Sequence, residues 1–276
     1  MAQNQSMKTM RLYDQVERIL NELNHLGIDE DSPLSVEDLT PFDQYHYHGT
    51  AAVDEAARML RATGNTQILE IGSGIGGPAR HMAHVTGCKV TAVELQPDLS
   101  ALSEQLTARC GLSGQIDHVC ANVLDRPLEG QTFDAIMSFL VFLHIPARAE
   151  LFEVCRSSLK PGGSMIIEDY IKLKEPNAQQ ADDLKVKVQC PYVPDMETYR
   201  QDLEKAGFVS VEMEDMSSSW TDFTAERLAA YEARRDHNIA VNGEDLTNGL
   251  QDFYATTAGL FSAGVIGGVR ILARRD

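Results

Sequence analysis

Ile68-Leu69-Glu70-Ile71-Gly72-Ser73-Gly74-Ile75-Gly76-Gly77-Pro78 is the stretch on which the fold of this chain turns. A short β-type run meets alternating glycines and then a helix start, where Pro78 is tolerated because a first-turn N–H has no intrahelical partner in any case. Glycine serves where backbone must bend sharply and approach a ligand with no Cβ in between. A second apolar run, Val90-Thr-Ala-Val-Glu94, closes on an acid 22 residues after Gly72. From the tip of the neighbouring strand such a carboxylate accepts hydrogen bonds from ribose hydroxyls. Together the two runs describe a site for an adenosine-containing cofactor at the edge of an α/β sheet.

Gly72, Gly74 and Gly77 also satisfy the spacing of a dinucleotide fingerprint, so charge has to decide which nucleoside fits. Glu70 sets a carboxylate at the end of the first strand, beside the loop where a pyrophosphate would lie, and one helix end offsets that repulsion only in part. S-adenosylmethionine has no phosphate and presents an ammonium and a sulfonium, so it matches an acidic loop. A nicotinamide dinucleotide is the lesser reading, and a glycine turn without any ligand is the bland one.

The chain has 276 residues and a formal net charge of −17, long enough for one large α/β domain with an appended element. That charge repels phosphate backbones, and no Lys/Arg cluster interrupts it, so neither nucleic acid nor an anionic membrane is an expected partner. Cys88, Cys110, Cys120, Cys155 and Cys190 match no zinc spacing and are an odd number, which points to reduced thiols, mostly in the core. With no apolar leader and no apolar run long enough to span a bilayer, a cytoplasmic protein is expected.

From Gln67 to Asp169 strand-like and helix-like segments alternate: Ile68–Ile71, Pro78–Thr86, Lys89–Val93, Leu99–Cys110, Gln115–Cys120, Phe133–Phe139, Ala147–Leu159 and Ser164–Glu168. This alternation predicts a doubly wound, Rossmann-like α/β fold of parallel strands, with ligands at their carboxyl ends. Ahead of it, apolar spacing predicts a helix over Met10–Leu26, and the acid-rich stretch Ile28–Thr40 reads as a loop before a helix over Thr50–Arg61. Beyond it, Asp169–Pro194 reads as irregular. Helices are expected over Met196–Ala206, Thr224–Asn238 and Asp245–Leu260, with strands over Phe208–Asp215 and Gly267–Ala273. Residues 1–49 are thus expected to form an N-terminal helical lid. Residues 50–276 are expected to form the main domain, with cap insertions at about 170–200 and 220–262.

With these segments in place, the chain resembles a class I S-adenosylmethionine-dependent methyltransferase of the small-molecule, type 11 group. The resemblance rests on the Glu70/Gly72/Gly74/Gly76 turn, on Glu94, on Ala121-Asn122-Val123-Leu124, and on Phe133 to Pro146 and Leu159 to Gly163. It implies a sheet ending in an antiparallel strand, S-adenosylmethionine as cofactor, and contacts to it from Glu70, Gly72, Gly74, Gly76, Glu94, Leu95, Asn122, Val123 and Gln44. Asn122 stands where the family commonly has aspartate, and its carbonyl oxygen still serves the adenine amino group. Asp43 to Gly49 suggests the sarcosine and dimethylglycine N-methyltransferases in particular, which implies an amine acceptor on the way to betaine. Alternatives are S-methylation of a methylthio acid, as in sulfur osmolyte synthesis, and a non-catalytic S-adenosylmethionine-binding protein.

Methyl transfer is an in-line displacement in which the protein's main task is positioning. His144 follows the fourth strand at its carboxyl edge, and imidazole titrates near neutrality, so it is the first candidate for an acid–base or orienting role. Tyr45, His46, Tyr47 and His48 are expected to close over the sulfonium, with Tyr47 and His46 as further catalytic candidates and aromatic faces stabilising a cation by about 0.5–2 kcal/mol. No metal site is expected, because side chains at i and i+2 face together only on a strand and no third ligand is near. Glu168, Asp169 and Tyr170 are candidates to line the acceptor pocket, and Cys190-Pro-Tyr192-Val-Pro194 a wall of it. Arg200, Arg227 and Arg234 all lie where a carboxylate clamp is needed, and spacing does not choose among them. A small-molecule acceptor is the expected partner, to a monomer or homodimer.

Overall fold

The computed structural model describes residues 16–276. Its framework is a seven-stranded sheet of order β3-β2-β1-β4-β5-β7-β6, in which β1 (Gln67–Ile71), β2 (Lys89–Glu94), β3 (Ile116–Cys120), β4 (Phe133–Phe139) and β5 (Leu159–Lys172) run parallel. The last strand in sequence, β7 (Ile266–Arg275), is antiparallel both to β5 and to β6 (Phe208–Asp215). This is the doubly wound sheet with one reversed strand expected from the sequence. Strand order reverses between β1 and β4, so their carboxyl ends open the crevice in which ligands of such sheets bind.

Helices cover both faces. In chain order they are α1 (Arg18–His25), α2 (Val36–Asp43), α3 (Thr50–Leu60), α4 (Gly77–Thr86), α5 (Pro97–Arg109), α6 (Arg148–Ser158), α7 (Ala178–Val186), α8 (Met196–Lys205), α9 (Ser217–Ala233), α10 (Arg235–Asn242) and α11 (Glu244–Ser262). Two apolar clusters sandwich the central strands: Leu69, Ile136 and Ile167 pack with α6 on one side, and Ile68, Met137 and Ile166 with α3 and α4 on the other. Trp220 of α9 is fully buried against β7, where any Cβ on Gly268 would collide with its indole. Glycine in that strand therefore seats the helical cap.

Four expectations change. The helix predicted over Met10–Leu26 appears as Arg18–His25, and its first residues lie outside the described residues. The acidic stretch 28–40 is not all loop: Ser35 accepts from the Asp38 N–H while the Asp38 carboxylate accepts from the Ser35 N–H, and this capping box starts α2. Acidity masked a helix-start signal. Asp169–Pro194 likewise holds the end of β5 and then α7, whose start is capped reciprocally by Asn177 and Gln180. The single helix expected over Thr224–Asn238 is two, α9 and α10, parted at Arg234.

The N-terminal segment is fastened to the glycine turn by a buried ion pair. Arg80 of α4 donates to Asp43 at 3.0 Å and to the Ile75 carbonyl at 2.6 Å, and both charged side chains are fully buried. Removing either partner would strand a buried charge, at a cost of about 3–5 kcal/mol. Gly77 is required here, because a Cβ would meet the Asp43 carbonyl.

Candidate cofactor and acceptor site

The glycine turn carries positive φ at Gly72 (74°), Gly74 (55°) and Gly76 (78°), and the Gly72 and Ser73 amides donate to the Val93 carbonyl, which ties the turn to β2. The three glycines differ in purpose. A Cβ on Gly72 would strike Val141, and one on Gly76 would strike Ser103 of α5. Around Gly74 nothing lies within 4 Å of such a Cβ, and the residue borders a cavity of about 430 Å³, within the usual size for cofactor sites.

Glu94 forms the floor beside Gly74. One of its oxygens accepts from the Gly74 N–H and the other from the Gln96 N–H, each at 2.9 Å. A carboxylate offers about four acceptor sites, so two are left for a ribose diol. Burial pushes the Glu94 carboxyl up, and the amides of Gln96 and Gly74 pull it back towards ionisation. Leu95, Leu99, Asn122 and Val123 supply further walls, with the Asn122 side chain also accepting from the Leu124 N–H at 3.1 Å.

Glu70 and Gly76 stand behind this lining. The Glu70 side chain is buried, one of its oxygens has no partner, and burial pushes its pKa up to about 8. An unpaired buried carboxyl behind a glycine cradle suits a positively charged ligand, which would favour its ionised form. Gln44 is not on that lining either: at the C-terminal end of α2 it donates to Asp43, and its Nε2 packs on Gly77 just after the turn.

His144 ends a short 3₁₀ turn after β4 and borders two spaces at once: the large cavity and a smaller pocket of about 50 Å³. Its Nδ1 donates to the Gln189 carbonyl at 2.9 Å, which makes Nε2 the basic nitrogen. Burial lowers its pKa below the ordinary 6.5, so the ring is neutral at pH 7. Beneath it, Asp169 accepts from the Leu143 N–H at 3.1 Å and from Arg148 and Tyr199 at 3.0 Å each, a buried network that fixes the turn.

The small pocket is aromatic. The hydroxyls of Tyr47 and Tyr170 meet at 2.5 Å, and burial pushes Tyr47 up to about 12, so it stays protonated. His46 shares this pocket, but its Nε2–H donates to the Gly49 carbonyl at 2.9 Å and burial lowers its pKa to about 3, so it is a neutral ring at pH 7 rather than an imidazolium acid. His48 instead lies against Phe223. Among the described residues no three His, Cys, Asp or Glu side chains converge as a metal site.

Of the three arginines, Arg227 is the one that borders the pocket. It donates to the Tyr45 and His46 carbonyls at 3.1 and 2.8 Å and lies 4.7 Å from the Phe223 ring centroid. Arg200 is spent on the Val211 carbonyl. Tyr170 borders the pocket, whereas Glu168 is paired with Arg270 and Asp169 with Arg148. Cys190 is buried in the core, and its neighbour Pro191 borders the large cavity. Sequence reasoning missed Tyr254 and Thr257 of α11, which complete the aromatic pocket and carry no local signature.

A reversed-last-strand sheet with an acid-closed glycine turn defines a class I S-adenosylmethionine-dependent methyltransferase domain. Residues 69–167 match the family model described as a methyltransferase domain. Over these residues the chain is similar to this class, and more widely it is distantly related to sarcosine/dimethylglycine and phosphoethanolamine N-methyltransferases. It is 31% identical over 172 residues to the sarcosine/dimethylglycine N-methyltransferase of Halorhodospira halochloris, covering 59% of each protein. To the glycine/sarcosine/dimethylglycine N-methyltransferase of Actinopolyspora halophila it is 25% identical over 232 residues, covering 82% of this chain and 41% of that protein. It thus spans about two-fifths to three-fifths of these relatives. In fold it is similar to phosphoethanolamine N-methyltransferase 2 of Haemonchus contortus, with a TM-score of 0.79, 19% identity, and 96% of this chain and 60% of that one covered. Among the described residues no helix is long and apolar enough to cross a membrane.

Proposed function

We propose that this protein transfers a methyl group to the nitrogen of a small amine held in the Tyr47–Tyr170 pocket. One observation carries the reading: His144 is a wall of both the cofactor cavity and the aromatic pocket, so it marks where the two contents meet. S-adenosylmethionine supplies a methyl group activated on a sulfonium, and the Gly72–Gly76 turn, Glu94 and Asn122 are the residues that would hold it. Kinship with sarcosine and dimethylglycine methyltransferases supports an amine acceptor, and a pocket of about 50 Å³ suits a small one.

An amine must be unprotonated to attack. The apolar walls disfavour the ammonium form, and neutral His144 is the base at the pocket rim. The hydroxyls and π-faces of Tyr47 and Tyr170 then face the positive charge that the methylated product carries. Labelled methyl transfer to glycine, sarcosine, dimethylglycine, phosphoethanolamine and a methylthio acid tests the reading. A methylated amine is the expected product. Turnover of the methylthio acid alone would replace the amine by sulfur, and tight cofactor binding with no product would leave a binding protein.

A further inference from the structure

Outside the acceptor pocket, and sharing Tyr45, Arg227 and Tyr254 with it, lies a second cavity of about 220 Å³. Three arginines border it: Arg18 from α1, Arg227 from α9, and Arg234 at the break between α9 and α10. The chain has 41 acidic and 24 basic residues, so a carboxylate for each arginine is easily supplied. Yet among the described residues none of the three is ion-paired. Arg18 lies over the Tyr45 ring at 4.4 Å and donates to its hydroxyl at 3.2 Å, and Arg227 donates to two backbone carbonyls. Glu22, the acid at the cavity edge, is taken by His237 at 3.0 Å and by Asn242 at 3.4 Å. Arg235, next in sequence, is by contrast within 4.0 Å of Glu244.

Three guanidinium groups against the one carboxylate of Glu22 leave positive charge in excess around the cavity, and such groups recognise carboxylate or phosphate, whose paired oxygens match the planar fork. We propose that this cavity is the anion-recognition mouth of the acceptor pocket. The amine end of the acceptor passes Tyr45 and Tyr254 to reach His144, while its carboxylate or phosphate is held by Arg227 and, for longer acceptors, by Arg18 and Arg234. The acceptors selected are therefore amines that carry an anionic group. That selection rests on the amine-methylation reading, whereas anion binding in the mouth does not.

Two measurements test the mouth on the full chain. Inorganic phosphate is titrated against the wild type, Arg234→Gln and the double variants R18Q/R234Q and R18K/R234K, reading the melting temperature. The expected result is a phosphate-dependent rise in the wild type and the lysine variant, a smaller one in Arg234→Gln, and the smallest in the double glutamine variant, where Arg227 alone remains. Equal rises in all four, or none in the wild type, overturn the proposal. Second, the ratio of kcat/KM for dimethylglycine over dimethylethanolamine should fall at least tenfold in Arg227→Gln, whose guanidinium borders both spaces, and an unchanged ratio counts against it. Should phosphate behave as expected while no amine is methylated, only the functional reading falls. Should R18Q/R234Q fail to fold, Arg234→Gln alone decides, because Arg234 is exposed.

Discussion

Around Gly72–Gly76 the cavity wall is backbone: amides of the turn, a carboxylate pinned by two of them, and glycines whose missing side chains leave the space. Across His144 the wall is side chain, assembled from the α2–α3 connection, the end of β4, β5, α9 and α11. The first region is rigid and sequence-local. The second depends on how a cap sits on a sheet. The cofactor half can therefore stay constant while the acceptor half changes its chemistry by exchanging a few aromatic or charged groups, which is how one fold serves many substrates.

The sharpest way to break this comparison is at the residue both halves share. His144→Ala is expected to lower kcat by about 10²–10⁴-fold, the range for losing a positioned general base, while cofactor affinity changes far less. In the wild type saturated with cofactor, kcat/KM for the acceptor should hold level from pH 8 down to 7. It should fall only below the ordinary imidazole value of 6.5, because burial lowers the His144 pKa and keeps the base form at neutrality. Rates measured from pH 5 to 9 check both points. A variant that retains wild-type kcat would remove His144 from the chemistry and favour a sulfur acceptor, which needs no proton taken away.

Within the cofactor half the next effect is at Gly74. A valine there must hold a β-branched residue in the left-handed region, at about 1–2 kcal/mol, and its side chain enters the space bordering the turn. A roughly 100-fold loss of S-adenosylmethionine affinity by calorimetry is expected from strain and blockage combined, which is about 2.7 kcal/mol. Affinity within twofold of wild type would show that the cofactor does not approach this turn. Glu94→Ala should cost a comparable amount, about 1.5–3 kcal/mol, the scale for hydrogen bonds to a charged group.

The two halves differ in legibility for the same reason that they differ in material. The turn, Glu94 and Asn122 lie within one continuous run of β1, α4, β2, α5 and β3, so spacing alone places them at neighbouring strand ends. Tyr47 and Tyr170 are 123 residues apart and Arg227 bonds a carbonyl 182 residues away, so only the folded cap brings them together. Some of the rest was written locally and outweighed by composition: Ser35–Asp38 and Asn177–Gln180 are helix starts inside stretches whose acidity or irregularity reads as loop. Arg227, Arg200 and Arg234 were indistinguishable by type, and it is burial against aromatic rings that singles out the first.

The smallest expected effect probes the layer behind the glycine cradle. Burial raises the Glu70 pKa to about 8, with neighbouring Glu94 adding to the rise and Arg80 opposing it. A carboxyl raised above its unfolded value of about 4.3 contributes stability to the empty protein that is complete below that pH and lost as pH rises through about 8. Glu70→Gln removes the ionisation, so the empty variant should melt above the wild type at pH 9 and close to it at pH 5, by about 2–4 °C for each kcal/mol regained. With cofactor the order reverses. A cation beyond the turn pulls the proton from Glu70, so wild-type binding at pH 7 should release protons and tighten as pH rises from 6 to 8, and the glutamine variant should show less of both. Calorimetry in two buffers of different ionisation heat reads that release. Equal proton release in the two proteins would mean that the buried carboxyl does not sense the cofactor charge, leaving Glu94 as the one acid of the cavity that does.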